Sequence, residues 1–360
     1  MIPDLLPPAR ETRSVSVLMA STFMAAAAFV AAVALLTGVF SSSEPSRSAG
    51  GPVVSRVRDE VVDINTVLPE EDGAAAGTGM VLSSDGEVLT NNHVIQEAST
   101  ITATDIGNGR TYTATVVGYD EARDIAVLRL EGASGLPTVT LGSSAGVQDG
   151  TRVMTVGNAG GLGGTPAAKT GLVTARDESV VVADDLDDTT ESLSRLIEIH
   201  GDLQPGDSGG PMINRAGRVV GMDTAASASY QFGSGSANGL GFAIEIDPAK
   251  QIARRILAGE ATSTIHIGTT AFIGVSIESH DTGPPGAPVG AAIPGTAAAA
   301  AGLGHGDLIV EFAGKPIDST SALTTALVPF HPGQHAKLVW LTATGIRHQA
   351  TIRLGTGPAA

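Results

Sequence analysis

The sequence predicts a mainly β protein, a strand-rich region of sandwich or barrel type followed by a smaller second module. Three observations predict it. Glycine supplies 46 of 360 residues, about twice the usual share, and lysine and glutamate are sparse, which favours turns and short strands over a helical bundle. Apolar runs of strand length are separated by turn pairs. After residue 265 the pattern resets, and about 90 residues carry their own strands and short helices, enough for a small domain.

The elements follow in chain order. No charged residue occurs from Ser14 to Ser43, and the apolar run Val15–Phe40 is long enough to cross a bilayer as a helix. A signal anchor over 14–40 behind a short tail at 1–13 is expected, with a cleaved signal peptide and secretion as the alternative. Arg10 and Arg13 flank the run more closely than Arg47 does, placing the tail inside the cell and the rest of the chain outside. Residues 41–52 read as a flexible Ser/Gly/Pro tether. Hairpins are expected around Asp85-Gly86, Asn108-Gly109 and Ala216-Gly217. The stretch DPAKQIARRILAGE predicts a helix capped by Asp247, with Pro248 in its first turn and Gly259 at its end. The main domain is thus expected over 53–262 and the second module over 263–356. In that module, Ala297–Ala301 reads as a short helix capped by Thr296.

Composition excludes several functions. The net charge of −16 is spread along the chain, so there is no basic face for nucleic acid. Absence of cysteine removes thiolate chemistry, disulfides and zinc–thiolate sites. The glycine-rich Val156–Pro166 lacks the frame of a nucleotide loop. The acidic run Asp184–Asp188 lacks that of a calcium loop and reads as solvated. His266, His280, His305, His331, His335 and His348 show no metal-ligand spacing and read as scattered surface residues. Neither metal nor cofactor is expected.

Hydrolysis of an amide by serine needs a base at the hydroxyl, a carboxylate to fix that base, and donors for the oxyanion. His93, in LTNNHVI, stands where an apolar strand ends and a side chain is exposed at a rim. Asp124, in RDIAVL, precedes an apolar run and can be buried at its edge. Ser208 lies in PGDSGGP, where glycines let the backbone N–H groups of Gly206 and Ser208 converge on one oxygen. A base titrating near pH 6.5 predicts activity that falls in mild acid.

The ordered motifs TNNHV, DIAVL and PGDSGGP resemble TNxHV, DxAVL and PGxSGGP of the HtrA group of chymotrypsin-like serine proteases. The resemblance covers about residues 55–355 and implies a chymotrypsin-like double β-barrel followed by a PDZ domain, acting as an endopeptidase on unfolded or damaged exported proteins. It also implies a homotrimer. A narrow processing protease and an inactive PDZ-bearing scaffold are the alternatives. In chymotrypsin-like zymogens the carboxylate matching Asp207 pairs with a newly cut N-terminus. With no activation cleavage evident here, Asp207 is expected at the surface or ordering its loop. Asp202, Leu203, Leu240 and Gly241 fall at the substrate pocket by the same likeness. The family pattern D-A-A-x-x-P-G-x-S is broken at His200 and Asp202. Asp202 stands where trypsin binds Lys or Arg substrates, though a solvent-facing Asp202 is the preferred reading. Finally, AGLGHGDLIVEFAGKPI resembles the PDZ pattern AGLxxGDxIxxxxGxxI. That likeness assigns Phe272, Ile273, Gly274 and Val275 to a loop receiving a peptide carboxylate, with the peptide adding as an edge strand. Leu323 and Leu327 would line its apolar slot.

Overall fold

A computed structural model describes residues 51–68, 73–183, 190–224, 239–277 and 284–358. The expected anchor at 14–40, the run Asp184–Asp188 and His280 lie outside them. Among the described residues no helix is long and apolar enough to cross a membrane.

Period-two patterning builds the strands. In β4 (Thr100–Asp105) and β5 (Thr111–Asp120), Ile101, Ala103, Tyr112 and Ala114 are buried, and the threonines between them face outward. The three expected hairpins form. β2 (Gly73–Val81) pairs with β3 (Glu87–Thr90), β4 with β5, and β10 (Pro211–Ile213) with β11 (Val219–Thr224).

These strands close two barrels. In the first, the order β5-β4-β1-β2-β3-β6 returns to β5, with β1 at Val61–Leu68 and β6 at Ile125–Leu130. In the second, β7 (Arg152–Gly157), β8 (Ala167–Ala183), β9 (Thr190–His200), β12 (Leu240–Glu245), β11 and β10 close back on β7.

The seam between barrels explains the continuous apolar run after Asp124. Along β6, Ala126, Leu128 and Leu130 fill the first barrel, while Ile125 and Val127 point into a separate core shared with Val156, Met222, Phe242 and Ile244 of the second. A strand buried on both faces loses its polar alternation. Asp124 therefore enters the protein where the two barrels meet.

Two helices seal this shared core. The first, α1 (Gly51–Arg58), begins inside the expected tether and buries Val54 and Val57. The second, α2 (Ile246–Leu257), buries Ile246, Ala249, Ile252, Ala253 and Ile256 on one face. Each such isoleucine contributes roughly 1.5–3 kcal/mol. The Gly259 N–H bonds the Ile256 carbonyl and the Glu260 N–H that of Arg255, so the helix stops at the glycine as expected. Its start differs from expectation. Asp247 lies inside the first turn, not at the cap, and its carboxylate accepts from Ser143 Oγ (2.6 Å) and the Ser144 N–H (2.9 Å). These bonds tie the inter-barrel connection to the helix and, with Lys250, hold the Asp247 carboxyl well below the usual range.

β13 (Ile265–Ile267) falls inside the range read as the second module but adds to β5 of the first barrel. His266, expected at the surface, is buried there. Its Nδ1 and Nε2 face the carbonyls of Val328 (2.6 Å) and Thr269 (3.1 Å), and its ring packs on Tyr119 and His331. Spacing alone did not register this packing.

Beyond it, β15 (Val275–Ile277), β16 (Ala287–Ala292), β17 (Leu308–Phe312), β19 (His335–Leu341) and β20 (Arg347–Arg353) form a sheet in that order, with β18 (Lys315–Pro316) on β17. β14 (Ala271–Phe272) pairs with β21 (Gly355–Thr356). Helices α3 (Ala297–Ala301) and α4 (Thr320–Leu327) cover a core of Ile309, Phe312, Leu338 and Trp340.

Candidate active site

β3 ends at Thr90, whose hydroxyl donates to the Thr78 carbonyl at 2.8 Å. A turn follows, closed by the Ile95 and Gln96 N–H groups on the Asn92 carbonyl. It buries Asn91 and Asn92 and leaves the His93 side chain 35% exposed. On the facing strand a short 3-10 turn, Glu121–Arg123, ends at Asp124 in the left-handed region (φ 54°), a conformation that aspartate tolerates. This swings its carboxyl group back towards the histidine.

Asp124 Oδ1 accepts the backbone N–H of His93 at 2.9 Å, and Oδ2 lies 2.9 Å from Nδ1. Thr224 Oγ1 donates to Oδ2 at 3.4 Å, and Asn91 Nδ2 to the Asp124 carbonyl at 3.0 Å. An ionised carboxylate only accepts, so the Nδ1 opposite it carries the proton and Nε2 is left with its lone pair. That is the tautomer a general base needs.

Ser208 is held from the other barrel. Its carbonyl accepts the Thr78 N–H at 2.8 Å, and Thr78 Oγ1 donates to the Gly206 carbonyl at 2.7 Å while accepting the Asn158 N–H at 2.9 Å. The Gly209 N–H bonds the Asp223 carbonyl, and the Asp223 N–H bonds that of Gly210, each at 2.8 Å. Gly206 has φ 96°, and a Cβ there would overlap the Asn158 carbonyl oxygen. The sequence therefore has no alternative to glycine at this position.

Two paths join the halves. A Cβ on Gly77 would lie 2.6 Å from Val94 Cγ1, next to His93, and 3.3 Å from the Ser208 carbonyl oxygen, so both residues converge on one glycine. On the opposite side, Thr224 reaches Asp124 while its neighbour Asp223 holds Gly209. The His93–Asp124 pair and the Ser208 turn are thus tied to the same seam, through Gly77 on one side and through the neighbours Asp223 and Thr224 on the other.

Of the residues expected at a substrate pocket, Leu203 and Gly241 are in contact. A Cβ on Gly241 would meet Leu203 Cδ1 at 2.9 Å, so Leu203 packs directly on β12 beside Leu240. Asp202 faces solvent, where Gln204 Nε2 donates to it at 3.3 Å.

Asp207 is not at the surface. It is buried, its Oδ2 takes Lys169 Nζ at 3.0 Å and the Gln204 N–H at 2.9 Å, and it orders the turn before Ser208. Sequence reading missed Thr78, Asn91, Thr224, Lys169 and Asp223. The one visible signal was a charged residue, Asp223, ending the apolar run VVGM. Burial, then the charge of Asp207, hold the Asp223 carboxyl well above its usual range, against the pull of Lys169. Asp63 of β1 is pushed up to about 6 by burial, opposed by the Gly164 N–H of the glycine loop. No group of acidic residues and histidines among the described residues is arranged to hold a metal.

In the C-terminal module, Phe272, Ile273, Gly274 and Val275 form the connection between β14 and β15. The Ile273 carbonyl accepts the Ala298 N–H at 3.0 Å, and that of Gly274 accepts the Ile293 N–H at 2.9 Å. Thr296 stands at the α3 N-cap position as expected, but its hydroxyl donates to the Ile293 (2.6 Å) and Gly274 (3.1 Å) carbonyls rather than capping the helix. Leu323 is buried in the module core, and Leu327 packs at its edge.

Residues 77–222 match the model of the trypsin-like peptidase domain. The chain is similar to serine protease PepD of Mycobacterium tuberculosis, 33% identical over 84% of this chain and 65% of PepD. It therefore spans just under two thirds of that relative's length. It is also 30% identical to the periplasmic pH-dependent serine endoprotease DegQ of Escherichia coli, over 91% of this chain and 75% of DegQ. Among solved structures, the HtrA-type protease AlgW with tripeptide aligns at 26% identity, covering 86% of this chain and 97% of that one, with a TM-score of 0.49.

Proposed function

Because the chain belongs to the HtrA family of trypsin-like serine proteases, we propose that it is a serine endopeptidase whose catalytic residues are His93, Asp124 and Ser208. The observation that carries this reading is the two-point grip of Asp124 on His93, through the backbone N–H and Nδ1, at the seam where the Ser208 turn is anchored.

In the mechanism, His93 Nε2 takes the Ser208 hydroxyl proton as Oγ attacks the scissile carbonyl. Asp124 keeps the Nδ1 proton in place and stabilises the imidazolium that forms. The N–H groups of Gly206 and Ser208 receive the oxyanion. His93 then returns the proton to the leaving amine, and water repeats the sequence on the acyl-enzyme. No metal or cofactor enters any step.

Leu203 packs on Gly241, and Asp202 faces solvent. Both support cleavage after small apolar residues such as valine, with no basic pocket. The C-terminal module is read as a PDZ domain that receives peptide C-termini at Phe272–Val275. Exported, unfolded or damaged polypeptides are the proposed substrates, and the segment 14–40 the proposed membrane anchor. Assembly as a homotrimer is the proposed oligomeric state.

Fluorophosphonate labelling tests the core of this proposal. The parent chain is expected to label and to cleave casein, and Ser208→Ala to do neither. A parent that neither labels nor degrades casein would support the inactive-scaffold alternative. Peptides with valine before the cut should be cleaved faster than those with arginine, and the reverse order would restore Asp202 as a pocket residue.

A further inference from the structure

Two buried carboxylates and one ammonium group lie behind the nucleophile turn. Asp207 has its Oδ2 filled by Lys169 and the Gln204 N–H, but its Oδ1 has no hydrogen-bond partner among the described residues. Asp223 is fully buried, and among the described residues neither of its carboxyl oxygens has a partner. The main chain joins these residues through the loop itself. Asp223 exchanges backbone hydrogen bonds with Gly209 and Gly210, and the Gly210 N–H bonds the Asp207 carbonyl at 2.9 Å.

Charge counting poses the problem. With both acids ionised, Lys169 would leave one negative charge uncompensated in a site closed to water, alongside three oxygens without a donor. Burying an unpaired charge is costly enough that a group neutralises instead. One proton removes the uncompensated charge and turns one of the three oxygens into a donor, since a carboxylic acid gains the donor that a carboxylate lacks. Where two carboxylates occupy one site, one of them is commonly held protonated.

We propose that Asp223 carries a proton at neutral pH, with Lys169 balancing the charge of Asp207, so that the trio positions the turn bearing Ser208. The upward displacement of the Asp223 carboxyl by burial and by Asp207 accords with this. Its sheet neighbours, Gly210 and Ala243, bring no titratable group. Asp124, reached through Thr224, is engaged with His93. Given the endopeptidase reading, loss of this proton adds a second buried negative charge beneath the turn and moves the Gly206 and Ser208 donors. Activity then has an alkaline limb set by Asp223, separate from the acid limb set by His93.

The test uses the full chain with Asp223→Asn and Asp223→Ala, measuring kcat and KM on a valine peptide from about pH 5 to about pH 10, a range spanning His and raised carboxyl titrations. Urea unfolding of each in a Ser208→Ala background covers the same range. Asp223→Asn, a donor that does not ionise, should keep kcat within about threefold of the parent near pH 7 and lose the alkaline limb. Asp223→Ala should lower kcat about tenfold or more, with KM within about twofold, as expected for an orphaned buried acceptor.

The folded state retains a proton that the unfolded chain releases near pH 4. Parental stability should therefore fall as pH rises through the folded Asp223 titration, and Asp223→Asn should flatten that slope. Equal slopes in the two, or an Asn variant as damaged as Ala, would overturn the proposal. A parent that does not cleave at all overturns the endopeptidase reading instead, and the unfolding slope alone then decides whether Asp223 holds its proton.

Discussion

Asp124→Asn separates the role of the carboxylate from its shape. The backbone N–H of His93, a donor that cannot rotate away, sits 2.9 Å from Oδ1. The amide oxygen of asparagine must take that position, because the alternative sets two donors against each other at a cost of about 1–3 kcal/mol. The NH2 group then faces Nδ1 across the 2.9 Å now bridged to Oδ2. Nδ1 must accept, so the imidazole proton moves to Nε2, and the atom that should receive the Ser208 proton already holds one. A kcat loss of about 10⁴-fold is expected, as for the equivalent change in the triad template. That corresponds to about 5.5 kcal/mol at about 1.4 kcal/mol per tenfold. Asparagine matches aspartate in volume, so the thermal midpoint should stay close to the parent's. The assay pairs peptide kcat with the fluorophosphonate labelling rate and a melting curve. A correctly folded variant within tenfold of the parent would refute the tautomer reasoning and remove His93 as the base.

Two further outcomes follow from the same geometry. Gly206→Ala places a methyl group 2.8 Å from the Gly161 nitrogen at φ 96°, so the turn must shift. A kcat loss of about 10²–10³-fold, the worth of one oxyanion donor, is expected, with about 1–3 kcal/mol of backbone strain read by melting. Activity above half the parental value would mean that the Gly206 N–H is not such a donor. Asp247→Ala removes the acceptor for Ser143, Ser144 and Lys250. With this side chain about a third exposed, solvent screening holds the expected loss to about 1 kcal/mol by urea unfolding. Because its folded pKa is depressed, the stabilisation is complete above the ordinary carboxylate range and disappears only as pH falls below about 4. A difference between variant and parent that is unchanged by acid would point to packing rather than charge.

The sequence by itself determined the local frame. Turn pairs set the three hairpins, since their backbone requirements are met within a few residues. Gly259 ended its helix for the same reason. PGDSGGP announced the nucleophile turn because φ 96° at Gly206 is a property of the residue itself. His93 and Asp124 were legible because each stands where an apolar run begins or ends, and a polar residue there must face a rim or an edge. The tertiary structure decided everything that depends on closure of the barrels. Asp207 gained its ion pair only when β8 brought Lys169 to it, and both Asp207 and Asp223 are buried only once the second barrel closes. His266 was buried only when β13 joined β5. Thr78 and Thr224 gained their roles because strands distant in sequence deliver a hydroxyl to Gly206 and to Asp124. A threonine in a strand carries no sign of its partner, and a carboxylate none of its burial, until the sheet folds back on itself. Local conformation follows from the residue, whereas electrostatic environment follows from what the rest of the chain places around it.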